Sequence, residues 1–188
     1  MKAGRARPGR RKPGHWRLER ACRGYQPAGA GERAGRQFKA EETPALEEIR
    51  GGRLSDIAPD EVEAAFLGAF QGGPDLEHKR FLGGESVGEF LDRTLPAFER
   101  VLARSDWSCL LMVLHGGVNR ALLAQAMTGE RAFFGRLEQL PACINIIDVD
   151  PRDTIVRAVN LAPTQWLHQN ESQTTMEKLL AQYLRKAG

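Results

Sequence analysis

The sequence predicts an α/β fold, and two observations carry this prediction. A continuous apolar run from Cys109 to Leu114 is bounded by turn residues, which is typical of a strand covered on both faces, as parallel strands are. The run ends at His115 and two glycines, and VNRALLAQAMTG then has helical periodicity and closes at Gly129. A strand that leads directly into a helix is a recurring unit of α/β domains.

The segments before this strand predict helices. Residues 59–70, PDEVEAAFLGAF, carry apolar side chains at helical spacing. Ser86 followed by Glu89 forms a capping box, which opens a second helix whose apolar face begins at Phe90. Pro96 predicts that this second helix is either kinked or divided.

The segments after the strand predict a mixed ending to the domain. A short helical segment at 133–140 is followed by two strands, CINIIDVD and TIVRAVN, which the turn PRD joins. The tail SQTTMEKLLAQYLRKAG contains the capping pair Thr174 and Glu177 and a basic last turn. We therefore expect a terminal amphipathic helix.

Residues 1–37 differ from the remainder of the 188-residue chain. They hold 11 Lys and Arg against 2 Glu, a net charge of +9, which leaves −6 for the remainder of a chain whose formal charge is +3. They contain no Val, Ile, Phe, Ser or Thr, so we expect a basic, disordered arm at 1–37 that supplies no strand, and one incomplete domain at 38–188. Arg, Gly, Ala and Pro make up 25 of these 37 residues. These four residues are encoded by codon families that begin with two G or C bases, so this composition is expected when GC-rich DNA is read out of frame. We therefore expect a frameshift or a mistaken start. The less favoured alternatives are an arm that binds nucleic acid through its charge and a mitochondrial transit peptide.

Several classes of protein are excluded by what the sequence lacks. The apolar stretches are too short to span a bilayer, and residues 1–30 contain no apolar core of a secretory signal, so we expect a cytoplasmic protein without membrane contact. Cys22, Cys109 and Cys143 are odd in number and far apart, which argues against disulfides and zinc. We predict no metal and no other cofactor, because neither metal-ligand spacing nor a glycine-rich nucleotide loop occurs. The oligomeric state stays open.

His115 is the residue best placed for chemistry. In an open α/β sheet, ligands collect at the carboxyl ends of strands, where helix N-termini direct unpaired N–H groups toward them. Gly116 and Gly117 allow the backbone to approach a bound group, and an imidazole there donates a hydrogen bond to an oxyanion. These residues predict a phosphate-sized anion site at His115. The alternative is a histidine that only closes the strand by bonding a backbone carbonyl.

Four segments in matching order resemble the histidine phosphatase superfamily, which includes the cofactor-dependent phosphoglycerate mutases. They are LEEIRGG at 46–52, LGGESVGEFLDR at 82–93, LLMVLHGGVNRALL at 110–123, and a late pair formed by Asn145 and NLAPTQWL. The resemblance covers roughly residues 38–170. It implies a phosphoglycerate mutase-like α/β fold, a three-layer α/β/α sandwich with a mostly parallel sheet, from which the first strand is absent in this chain.

The resemblance also implies a phosphatase that hydrolyses phosphate monoesters through a phosphohistidine. In the family, a histidine of an Arg-His-Gly motif accepts the phosphoryl group, a second histidine and two arginines hold its oxygens, and a glutamic acid protonates the leaving oxygen. His115 matches the second histidine, with Gly116 beside it at the phosphate. Glu48 matches the proton donor, although Glu47 is adjacent and only one of the two can face a cleft. The expected partner is a phosphorylated small molecule.

The chain departs from the family pattern at the nucleophile. No Arg-His-Gly occurs, since the histidines are His15, His78, His115 and His168, and His15 follows no apolar run. Arg20 in LERA is the best match to a phosphate-binding arginine, although the threonine-alanine pair that usually follows is missing. We therefore expect activity to be impaired or absent, and whether the chain is an enzyme stays open.

Five further polar residues have weaker functional interpretations. Glu85 and Ser86 are interpreted first as helix caps and second as cleft residues. Asn119 and Arg120 could extend the anion site and Asn145 could anchor a loop, but solvated surface is the favoured interpretation of these three. The segment at 51–84 would form a wall of the substrate cleft, and four of its apolar side chains serve equally well as core or lining: Leu54, Phe66, Phe70 and Phe81.

Three kinds of protein fit these features. The first is a phosphomonoesterase or mutase-like enzyme impaired by the missing nucleophile. The second is a regulatory module that binds phosphorylated ligands without turnover. The third is a remnant that folds poorly, because a sheet without its first strand leaves neighbouring edges unpaired and apolar surface exposed.

Overall fold

The computed structural model describes residues 19–20 by their backbone, and residues 40–107, 109–150, 153–163 and 173–187. The strands and helices in these ranges are β1 (Glu19–Arg20), α1 (Val62–Leu67), α2 (Val87–Leu102), β2 (Met112–Val113), α3 (Gly116–Thr128), β3 (Ile144–Asp150), β4 (Asp153–Leu161) and α4 (Thr175–Ala187). Short 3-10 turns lie at Pro44–Leu46, Leu54–Asp56, Gly68–Phe70, Leu76–His78 and Phe81–Gly83. No helix within the described ranges is long and apolar enough to cross a membrane.

Strand pairing confirms the α/β class and corrects one expectation about the N-terminal segment. β1 runs parallel to β2, with Arg20 opposite Val113. The expectation that residues 1–37 supply no strand, and that the first strand is absent, is therefore wrong at these two positions. Composition could not exclude this pairing, because a parallel ladder uses backbone N–H and C=O groups and needs no apolar side chain. The remainder of the predicted arm lies outside the described residues.

The larger pair of strands is antiparallel. β3 and β4 form the predicted hairpin, and their register runs from Ile144 opposite Leu161 to Asp150 opposite Asp153. Of the predicted connecting turn, residues 151–152 lie outside the described ranges. Parallel pairing among the described strands is therefore limited to β1 and β2, a smaller share than the mostly parallel sheet that we predicted.

The capping box that opens α2 is confirmed. The Oγ of Ser86 accepts a hydrogen bond from the Glu89 amide at 3.1 Å, and the Glu89 carboxylate accepts one from the Ser86 amide at 2.8 Å. Pro96 does not divide the helix, which continues from Val87 to Leu102. Pro96 is exposed, so the carbonyl that loses its partner one turn earlier lies on the solvent side.

Two predicted elements differ from the structure. The apolar run at 109–114 forms only the short β2, and Val113 is 45% exposed, so a strand covered on both faces is wrong. The segment at 133–140 is not helical. Its Leu137 carbonyl accepts a hydrogen bond from Arg120 at 2.7 Å, and its Phe133 packs into the core, so this segment is held by tertiary partners and not by a helical ladder.

The core lies between α2 and α3, and a smaller cluster joins α1 to α4. Phe90 and Val118 are fully buried at the centre of the first cluster. Phe66 of α1 is fully buried in the second cluster, where it packs with Leu180 of α4. The predicted terminal amphipathic helix is thus confirmed, and it contributes a wall to the domain. Phe66 is core, yet it also lines the cleft described below, so the two interpretations of residues 51–84 both hold.

Candidate active site

The N-terminus of α3 opens into the cleft that contains the predicted site. His115 has an extended backbone, with φ −95° and ψ 168°, and α3 begins at the next residue. The predicted order of strand, histidine, glycine pair and helix is confirmed. His115, Gly116, Glu48 and Arg120 all line one cleft of about 1210 Å³, so residues far apart in sequence meet there.

The Glu48 carboxylate lies at the N-terminus of α3. Its Oε2 accepts a hydrogen bond from the Gly117 amide at 2.9 Å, and its Oε1 accepts one from the Ile49 amide at 2.9 Å. A Cβ atom on residue 117 would lie 2.2 Å from Oε1, so glycine is needed there for this approach. The neighbouring Glu47 instead pairs with Arg50 at 3.5 Å. Of the two adjacent glutamates, Glu48 is the one that lies in the cleft.

Arg93 of α2 holds the backbone that carries Glu48. Its guanidinium donates hydrogen bonds to the carbonyls of Ala45, Glu47 and Glu48 at 3.0, 2.8 and 2.9 Å. The same guanidinium forms a bidentate pair with the Glu85 carboxylate at 2.7 and 2.8 Å. These three carbonyls thus accept hydrogen bonds from the charged guanidinium of Arg93, and not from backbone amides of a sheet or helix.

Glu85 fastens the same segment from the other side. Its Oε2 accepts a hydrogen bond from the Arg50 amide at 3.0 Å, so Glu85 is a tertiary anchor and not the helix cap that we predicted. Burial would by itself raise the pKa of Glu85, but hydrogen bonds from Arg93 and from the Arg50 amide outweigh burial and leave the pKa below its ordinary value. Glu85 is therefore held as a carboxylate in the folded protein.

Two glycines let these segments lie against each other. A Cβ atom on Gly52 would lie 2.2 Å from the Leu82 carbonyl oxygen, and one on Gly84 would lie 2.4 Å from that of Arg50. Both obstacles are backbone atoms, so neither position accepts a side chain without moving the chain. The motifs RGG and LGGE that carried the family resemblance are thus the two halves of one packed turn.

The lowered pKa of Glu85 predicts an acid-sensitive contribution to stability. A group whose folded pKa lies below its unfolded value stabilises the fold above the unfolded value, about 4.3 for glutamate, and loses that contribution as the pH falls further. We expect the difference in unfolding free energy between the wild type and Glu85→Gln to be largest near pH 7 and to shrink between about pH 4 and pH 2. Urea denaturation at a series of pH values measures this difference, and a difference independent of pH would contradict the assignment.

Arg120 is buried, which corrects the favoured interpretation of it as solvated surface. Its side chain lines the cleft and is 5% exposed. The Nε donates a hydrogen bond to the Leu137 carbonyl at 2.7 Å, and the guanidinium carbon lies 5.7 Å from the centre of the Phe70 ring. An arginine that follows HGG by three residues points along the cleft-facing side of a helix, and this spacing was the available signal.

Asn145 anchors a loop, as the alternative interpretation of it suggested. Its Nδ2 donates to the Gln139 side-chain carbonyl at 2.7 Å, and its Oδ1 accepts from the Asn160 amide at 2.8 Å. The side chain of Asn160 in turn accepts from the Leu140 amide at 2.7 Å. This network fixes the hairpin to residues 139–140, which line the cleft. Asn119 lines the cleft and is half-buried, so solvated surface does not describe it fully.

The other predicted residues lie away from the cleft or outside the described ranges. His78 is exposed in a 3-10 turn and does not line the cleft. His15 and His168 lie outside the described residues, as does the side chain of Arg20, whose backbone belongs to β1. Within the ranges that the structure describes, no three His, Cys, Asp or Glu side chains cluster in a way that could hold a metal ion.

In this α/β domain His115 at the N-terminus of α3 and Glu48, which accepts from the Gly117 amide, line one cleft. The family model of the histidine phosphatase superfamily (branch 1) matches residues 17–162, and the chain belongs to this superfamily. The match begins inside the segment that we predicted to be an arm. A comparison with proteins of curated function finds no match.

Two solved structures share the fold. The alpha-ribazole phosphatase from Shigella flexneri is 21% identical, with a TM-score of 0.53, and the match covers 68% of this chain and 63% of that one. A putative alpha-ribazole-5'-P phosphatase from Escherichia coli str. K-12 substr. MG1655 is 20% identical, with the same TM-score and coverage. The chain thus spans somewhat less than two thirds of the length of these structures.

Proposed function

We propose that the cleft binds phosphate monoesters at His115 and the N-terminus of α3. The observation that supports this most strongly is the meeting of His115, the Gly116 amide and Glu48 in one cleft. An anionic oxygen is stabilised at such a helix end by the partial positive charge of the N-terminus and by unpaired N–H groups. The carboxylate of Glu48 already makes use of one such N–H group, that of Gly117.

Each residue has a separate role in this proposal. His115 and the Gly116 amide donate to phosphate oxygens, and Arg20 is a further candidate because its backbone lies opposite Val113, two residues before His115. In hydrolysis, water attacks phosphorus as the P–O bond to the alcohol breaks, and Glu48, when protonated, donates its proton to the departing oxygen, which leaves as the alcohol. Fixed donors suit phosphoryl transfer because negative charge spreads over the equatorial oxygens in its transition state.

Hydrolysis of the bound ester is a separate question from binding. The sequence contains no Arg-His-Gly, so we propose that the chain hydrolyses phosphate monoesters slowly or not at all. The solved structures that share the fold are an alpha-ribazole phosphatase and a putative alpha-ribazole-5'-P phosphatase, which supports a phosphorylated small molecule as the ligand class. The second candidate function, a phosphate-binding module without turnover, is favoured by the lack of Arg-His-Gly in the sequence. Of the two histidines in the described ranges, His115 lines the cleft and His78 does not.

One pair of measurements on the full chain and on His115→Ala separates these functions. We expect inorganic phosphate at 100 times its dissociation constant to stabilise the wild type by about 2.7 kcal/mol in thermal denaturation, and His115→Ala to lose this effect. Hydrolysis of an aryl phosphate at mildly acidic pH, lost in His115→Ala, would support the enzyme and contradict the missing nucleophile. A broad, noncooperative melt without a phosphate effect would contradict both functions and support the poorly folded remnant.

A further inference from the structure

Arg120 carries a buried charge that the described residues leave without a hydrogen-bonded acidic partner. The side chain is 5% exposed, and it hydrogen-bonds through Nε to one neutral group, the Leu137 carbonyl. The terminal nitrogens of the guanidinium have no acceptor among the residues that the structure describes. Arginine has five N–H donors and is not deprotonated in proteins, so a buried guanidinium in this state is incompletely compensated.

The nearby carboxylates do not complete the compensation. Burial lowers the pKa of Arg120, and the negative charges of Glu138 and Glu48 act in the opposite direction without forming an ion pair. Both carboxylates are engaged elsewhere. Glu138 accepts hydrogen bonds from the amide and the hydroxyl of Thr175, and Glu48 accepts those of Ile49 and Gly117. Arg120 therefore keeps donors that an added anion could use.

The direction of Arg120 places these donors toward the site. In an α-helix the Cα–Cβ bond tilts toward the N-terminus, so a long side chain lies over the preceding turn. The turn that precedes Arg120 contains Gly116 and Gly117, and it follows His115. Arg120 and His115 line the same cleft, and the negative charge of Glu48, whose carboxylate accepts from the Gly117 amide at the end of α3, acts on the Arg120 guanidinium.

We propose that Arg120 binds an anion in this cleft. Its guanidinium donates to oxygens of the same phosphate group that His115 holds. The inference rests on the proposed function and adds to it a second cationic contact. A planar guanidinium binds two oxygens of one tetrahedral anion at once, which an ammonium group does not. Arg120 therefore makes the cleft selective for a dianionic oxyanion over a neutral group of similar size.

Calorimetric titration of the full chain with inorganic phosphate tests this contact. We expect Arg120→Met to bind phosphate about tenfold to a hundredfold more weakly than the wild type, which corresponds to the loss of a charged hydrogen bond. Arg120→Lys keeps the charge but not the planar fork, and we expect it to bind about tenfold more weakly. Arg136→Met is the matched control, because Arg136 is exposed and does not line the cleft, and its affinity should stay within about twofold of the wild type.

The outcomes distinguish this inference from the proposed function. If Arg120→Met binds phosphate as the wild type does while His115→Ala does not, the role of Arg120 is overturned and the proposed function stands. An equal loss in Arg136→Met would show a general effect of net charge and would overturn the role as well. If the wild type binds no phosphate, both fail. Should Arg120→Met not fold, Arg120→Lys decides, since an unchanged affinity in that variant contradicts a bidentate contact.

Discussion

Replacing Arg93 with methionine is expected to lower the free energy of unfolding by about 3 kcal/mol, the lower end of the cost of removing one partner from a buried ion pair, because both side chains keep some contact with solvent. The substitution leaves the Glu85 carboxylate, which is 10% exposed, without its bidentate partner. It also removes the donors to the carbonyls of Ala45, Glu47 and Glu48. The lost contacts are concentrated on residues 45–48, so this turn should loosen before the core does. Urea denaturation measures the loss.

Arg80→Met is the matched control for this prediction. Arg80 also pairs with a glutamate, Glu89, but the two side chains are 53% and 54% exposed. Exposed ion pairs contribute about 0–1 kcal/mol, so the control should change the unfolding free energy by no more than that. If Arg93→Met and Arg80→Met were equally mild, the buried pair would not be the support for the Glu48 segment that we infer.

Glu48→Gln is expected to strengthen phosphate binding at pH 7 by about tenfold or more, a gain of at least about 1.4 kcal/mol. The carboxylate lies at the same helix end that the phosphate would use, so its negative charge opposes a second anion there. Glutamine removes the charge, and its side-chain carbonyl can still accept the hydrogen bond from Gly117. Any hydrolysis should fall in the same variant, because an amide does not supply the proton that the leaving oxygen needs.

Glu47→Gln controls for the loss of one negative charge near the cleft. Glu47 is adjacent to Glu48, but it pairs with Arg50 and does not line the cleft. We expect its phosphate affinity to stay within about twofold of the wild type. Titration calorimetry on the three proteins gives the comparison, and weaker binding in Glu48→Gln would show that Glu48 holds the ligand and does not compete with it.

Capping boxes, a closing glycine and a hairpin depend on residues that are close together along the chain, and the sequence predicted these features correctly. The capping boxes at Ser86 and Thr174 each satisfy amides within one turn, and both are formed in the structure. The closing glycine of α3, Gly129, has a φ of 72°, the left-handed conformation that ends a helix. The hairpin of β3 and β4 follows from two apolar runs and a short turn.

The parts that sequence patterns missed depend on partners far along the chain. The contacts of Arg93 join residues 45 to 48 positions apart, and its neighbours in LDRT give no sign of them. Charged side chains are usually exposed to solvent, which favours a surface position for Arg120. In the structure its guanidinium is instead buried against the Leu137 carbonyl and the Phe70 ring. The segment at 133–140 has helical spacing, but tertiary contacts override that preference.

The sequence points to two residues that line the cleft, His115 and Glu48, but not to the ion pair of Glu85 and Arg93 that supports the Glu48 backbone. The order of strand, histidine, glycine pair and helix points to His115, and the family resemblance adds Glu48. The structure brings both to one cleft, while their roles stay predictions. The anchoring pair of Glu85 and Arg93 gave no local sign, since a helix-capping interpretation of GGES is complete in itself. The bond of Glu85 to the Arg50 amide forms only when the turn at residues 50–52 packs against the turn at residues 82–85, where Glu85 also pairs with Arg93.

The backbone amide of Gly116 reports most directly on phosphate bound at the N-terminus of α3. In a proton–nitrogen NMR titration of the full chain with inorganic phosphate, the Gly116 amide proton should move downfield in a saturable manner. The shift should disappear in His115→Ala. No shift at Gly116, or shifts confined to residues 1–37, would contradict the account, because phosphate would then be bound by the basic segment or not at all.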